Sequence, residues 1–73
     1  MKYNGHPSWA CWNVYLWISN DEGLYRLAMD CIDRTKNRRE AAKVFLGAMP
    51  KKTPDGARYN ITNVMHALRS IQS

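Results

Sequence analysis

Between Trp9 and Ile18 a single residue, Asn13, is not hydrophobic, and all three tryptophans of the chain lie in this run. In a chain of 73 residues so apolar a segment has to be the central core element, because a domain of this size buries only about 60% of the surface its unfolded chain exposes. Ser8 stands where an N-cap oxygen is needed, so the run reads as a helix from Trp9 to Ile18. A short apolar run cannot be told from a buried strand by period alone. The helix is favoured because only Val14 and Ile18 are β-branched. Apolar residues cover almost every face, the pattern of a helix surrounded by others, and the tryptophans are expected in the core. Asn13 then has to find hydrogen-bond partners, and the backbone of a neighbouring loop is the expected one.

Three more helices follow from caps and periodicity. Ser19 or Asn20 offers an N-cap oxygen, and Asp21 and Glu22 place negative charge at the positive end of the helix dipole. Leu24, Leu27, Ala28, Cys31 and Ile32 then form one apolar stripe. Asn37, followed three residues later by Glu40, predicts a capping box that opens a third helix. Its core face is Ala41, Ala42, Phe45, Leu46, Ala48 and Met49, and Pro50 stops it. Thr53-Pro54-Asp55-Gly56 suits a type I turn in the loop from Lys51 to Gly56. Asn60 caps a last helix running to about Ile71, with Tyr59 and Val64 spaced as a hydrophobic staple. Residues 1–73 are thus expected to form one all-α domain, a bundle of about four short helices.

Charge is unevenly distributed along this chain. Residues 1–33 carry a net −2 and residues 34–73 a net +7, which together give the formal +5. Such asymmetry points the second half toward an anionic partner, nucleic acid being the commonest. Lys36, Arg38 and Arg39 precede the third helix, Lys51 and Lys52 follow it, and Arg58 precedes the fourth. Arg38, Arg39, Lys51, Lys52, Arg58 and Arg69 are the candidate binding residues. The expectation is that Lys51, Lys52 and Arg58 share a face with Arg38 or Arg39.

Catalysis needs a nucleophile with its base, paired carboxylates or a metal, and no such set is visible. Cys11 and Cys31 fall in apolar stripes, where a thiol is inert. Asp21 and Glu22 form a capping pair, and Asp30 and Asp33 lie on a polar helix face. His6, Cys11, Cys31 and His66 lack the paired short spacing of a zinc site. The chain is expected to be neither an enzyme nor a cofactor protein. Two cysteines do not make a disulfide framework. No secretion-type leader is recognised, and the apolar run is about half of a membrane span. Reduced thiols, a cytoplasmic location and no membrane partner are therefore expected.

Tyr3-Asn4-Gly5, Trp12-Asn13-Val14, Leu16-Trp17 and Asn20-Asp21-Glu22-Gly23-Leu24-Tyr25 resemble the signature of a family of small, largely uncharacterised proteins from phages and mobile elements. Ala10-Cys11 stands where that family usually carries Glu-Thr, which removes a carboxylate from the pattern. The resemblance covers residues 3–25 and implies a phage-type accessory protein made inside a bacterial host cell. It leads to the first functional expectation: a non-enzymatic protein that binds and inhibits a host protein or nucleoprotein complex, such as a CRISPR or restriction system. A second, looser resemblance lies in Thr53-Pro54-Asp55-Gly56, Tyr59 and Val64 to Arg69, which is similar to the end of the DNA-binding domain of large serine recombinases. It implies a helix-turn-helix-like module that reads DNA with Thr62, Asn63 and His66 of the last helix. The third expectation is a structural or oligomeric protein, a homodimer that buries part of the tryptophan run.

Overall fold

In the computed structural model, which describes residues 5–72, each helix begins at a side-chain cap. The Ser8 hydroxyl accepts the Cys11 N–H at 3.2 Å and opens α1 (Trp9–Asn20). The hydrogen-bond ladder of α1 continues past Ile18 to Asp21, whose N–H donates to the Trp17 carbonyl. Asp21 is the first extended residue, and its carboxylate accepts the Leu24 N–H at 3.0 Å to open α2 (Glu22–Arg34). The cap is therefore Asp21, not Ser19 or Asn20, because both of those residues are inside α1.

Asn37 caps α3 (Arg38–Gly47) by accepting the Glu40 N–H at 2.9 Å. The Glu40 carboxylate is directed to Lys43, 3.7 Å away. α3 stops at Gly47, so Ala48 is exposed rather than on the core face, and Met49 packs against the core from the loop. Asn60 caps α4 (Ile61–Gln72) through the Asn63 N–H at 2.8 Å. The expected staple residues Tyr59 and Val64 are both buried.

The four helices close a ring: α1 packs on α2 and α4, and α3 packs on the same two. Ala28, Ala41, Ala42 and Ala67 are fully buried where helices meet, and such small side chains let helix axes come close. Phe45, Ile18, Leu68, Val14 and Val64 are the largest wholly buried apolar side chains, with Phe45 near the Tyr59 ring at 6.5 Å. A small all-α bundle is what the cap and stripe pattern predicts.

The tryptophans correct one expectation. Trp9 is 41% exposed, and Trp12 and Trp17 are half-buried. α1 has two principal neighbours instead of being enclosed, so an outer face meets water however apolar its residues are. Cys11, Asn13, Val14 and Ile18 are its buried residues.

Asn13 anchors the loop between α3 and α4. Its Nδ2 donates to Asp55 at 2.9 Å and its Oδ1 accepts from the Thr53 hydroxyl at 2.7 Å. Trp17 Nε1 donates to the same Asp55 oxygen at 3.0 Å. The partners are thus loop side chains rather than the expected loop backbone. The turn itself is closed by Gly56 N–H on the Thr53 carbonyl at 2.9 Å, with Gly56 at φ +94°, a backbone region that glycine enters without strain.

Candidate functional site

Three of the cations form ion pairs within their own helices. Arg26 holds Glu22 at 2.6 Å, Arg34 holds Asp30 at 3.1 Å and Lys43 holds Glu40. These are exposed intrahelical pairs, neutralised within their own helices. No acidic residue follows Asp55 in the chain, so α4 carries none.

The turn brings Lys52 and Arg58 together, while Lys51, one residue along the extended segment, alternates to the other face. Lys52 and Arg58 form an antiparallel bridge, and the Tyr59 N–H donates to the Lys51 carbonyl at 2.9 Å. Residues opposed in this way put their side chains on one face, and like charges there are destabilising. Arg38 lies elsewhere. Its Nε donates to Gln72 Oε1, at the last residue of α4. Arg58 precedes the first turn of α4, and 12 residues of helix span roughly 18 Å. Arg38 and Arg58 thus lie toward opposite ends of α4.

Three neighbouring clefts share lining residues, and Arg38 lines two of them. The first, of about 490 Å³, is lined by Arg34, Thr35, Lys36, Asn37 and Glu40. The second, of about 340 Å³, shares Thr35, Lys36 and Asn37 and adds Ile32, Arg38, Ala41 and Gln72. The third, of about 300 Å³, shares Arg38 and adds Thr62, Met65, His66 and Arg69. Together they make a basic trough from the α2–α3 turn to the outer stripe of α4. Arg38 sits at its junction. Arg39, exposed on α3, lies outside its lining.

Of the DNA-reading candidates, Thr62 and His66 line the trough and Asn63 does not. Asn63 is only 8% exposed: its Oδ1 accepts from Cys11 Sγ at 3.1 Å, and its Nδ2 donates to the Arg58 carbonyl at 2.9 Å. It is a tie between α1 and α4, unavailable to a base edge. Lys36 and Gln72 are among the trough residues missing from the candidate set. Lys36 could have been found in the basic run before α3, whereas nothing in the sequence brings Gln72 to Arg38, 34 positions away.

Arg38 and Arg39 occupy the first two positions of α3, where the helix dipole disfavours cations. With the Lys52–Arg58 bridge, they are local rules broken on the basic surface, and such violations are expected at functional sites. A fourth cleft of about 360 Å³ lies near the loop clasp and is largely apolar, with Trp17, Leu24, Met49, Pro50, Pro54 and Tyr59 between Asp21 and Lys52.

Both thiols are free and buried. Burial pushes the Cys31 thiol up, as does the Asp30 charge, with Arg34 acting the other way, so its thiolate is disfavoured. Among the described residues no three His, Cys, Asp or Glu side chains gather as a metal site. No helix there is long and apolar enough to cross a membrane.

The described chain is a helical bundle whose most developed surface feature is a cationic trough. It belongs to a family of unknown function, DUF7249, which matches residues 1–72. No curated protein and no solved structure matches it.

Proposed function

We propose that this protein is a small, non-enzymatic accessory protein of the phage type that binds a host nucleoprotein complex and inhibits it, an anti-defence role against a system such as CRISPR or restriction. The observation that carries the reading is the trough, in which Lys36, Arg38 and Arg69 line one continuous surface. An inhibitor of this kind needs no reacting groups, only a rigid shape with charge complementary to the surface it covers. A four-helix ring supplies the rigidity, and the trough supplies the charge. The resemblance at residues 3–25 supports the phage-type setting.

The test is capture from bacterial host lysate with the tagged chain. A stoichiometric protein or nucleoprotein partner is expected, and it should be lost on Arg38→Glu with Arg69→Glu. Recovery of no stoichiometric partner overturns the reading.

A second reading, direct DNA recognition by α4, is supported by Thr62, His66 and Arg69 on one outer stripe. It predicts a preference for particular duplex sequences that persists at moderate salt. A steep loss with salt and no preference would leave only charge.

A further inference from the structure

We infer that the trough holds a nucleic-acid backbone, with successive phosphates met by Lys36, Arg38 and Arg69. This rests on the reading of the trough as the partner-binding face and adds the chemistry of the partner.

Three features suit a phosphate backbone, the last two more than the carboxylates of an acidic protein. The first is the set of donors. Arg38 spends its Nε on Gln72, which anchors the guanidinium at the junction of two clefts and leaves four of its five N–H donors on the two Nη atoms. Such a fork matches the oxygens of a phosphate.

The second is the company these cations keep. Asn37, Thr62 and His66 stand among them in the lining. Hydroxyl and amide groups position a phosphodiester backbone. Among the described residues Glu40 is the one carboxylate in the lining, and Lys43 holds it.

The third is continuity. A lone carboxylate or free phosphate would fill one cleft, whereas three clefts sharing residues suit a ligand with charge repeated along its length. Duplex DNA carries one negative charge per about 1.7 Å of axis.

The experiment is fluorescence anisotropy of the whole chain with a labelled mixed-sequence duplex, titrated at several salt concentrations. Log affinity should fall linearly with log salt. Arg38→Gln and Arg69→Gln should each weaken binding several-fold and flatten that slope by about 0.9, the loss of one phosphate contact. Lys36→Gln, which does not disturb the Gln72 contact, should do the same. Lys51→Gln with Lys52→Gln, at the far end of α4, should leave the slope nearly unchanged. Circular dichroism checks that each variant is folded.

Equal flattening by the trough and far-end variants would overturn the inference, since it would mean diffuse charge only. So would displacement of the duplex by inorganic phosphate at comparable phosphate concentration, which would mark a small-anion site. If polyglutamate competes as well as unlabelled duplex, the trough is an acidic-protein site. In that case the captured host partner is still lost with Arg38→Glu, so the proposed function stands while this inference fails. Failure of both the capture and the duplex titration removes both.

Discussion

Asp55 shows how one residue can hold a fold together from an exposed position. Its carboxylate accepts from Asn13 and from Trp17, and both bonds pull its pKa below the ordinary carboxylate value. A folded pKa below the unfolded one means stability that is present above the unfolded value and lost as pH falls through the folded one. Melting temperature should therefore drop on acidification below the ordinary carboxylate range, and Asp55→Asn should shrink that drop; an unchanged acid profile would refute the clasp. Asn13→Ala strands the hydroxyl of Thr53 and should cost about 1–3 kcal/mol, read by denaturant unfolding. That Asn13 needs partners was legible, because an amide inside an apolar helix has no alternative. That they are Thr53 and Asp55 was not, since Thr53 lies 40 positions away and no local period encodes how a loop approaches a helix. The tryptophans were misread for a related reason: apolar composition does not say which face of a helix lacks a neighbour.

At the scale of elements, caps were the most legible feature. Ser8, Asn37 and Asn60 each accept the expected backbone N–H, because a short polar side chain just before an apolar stripe has a geometric role that needs no tertiary contact. The boundary between α1 and α2 was harder, since four polar residues in a row offer several oxygens and the α1 ladder selects among them. α3 is where stability and function pull apart. Arg39→Glu, in its first turn, should leave the chain as stable or raise stability by about 0.3–1 kcal/mol through the helix dipole. Thermal unfolding reads this directly, and clear destabilisation would mean that Arg39 holds a structural contact. Phe45→Ala, in contrast, removes the largest wholly buried side chain and should cost about 3–5 kcal/mol. Denaturant unfolding would show it as a large loss of midpoint or as an unfolded chain.

At the scale of the whole molecule, the sequence reading identified the cations but not their grouping. The charge excess from Arg34 onward is a matter of counting, whereas the trough is assembled from the α2–α3 turn and the outer stripe of α4 by the closure of the helix ring. Distance along the chain says nothing of that juxtaposition. The same closure leaves Trp9 exposed, and it marks the competing surface: were the aromatic face of α1 the binding site, the basic half would serve only solubility. Backbone amide shifts on titration with a mixed-sequence duplex separate the two most directly. The account predicts that the largest shifts cluster at residues 34–38 and along the Thr62, His66 and Arg69 stripe, with residues 9–17 nearly unmoved. Shifts centred on Trp9 and Trp12, or no shifts at all, would contradict it.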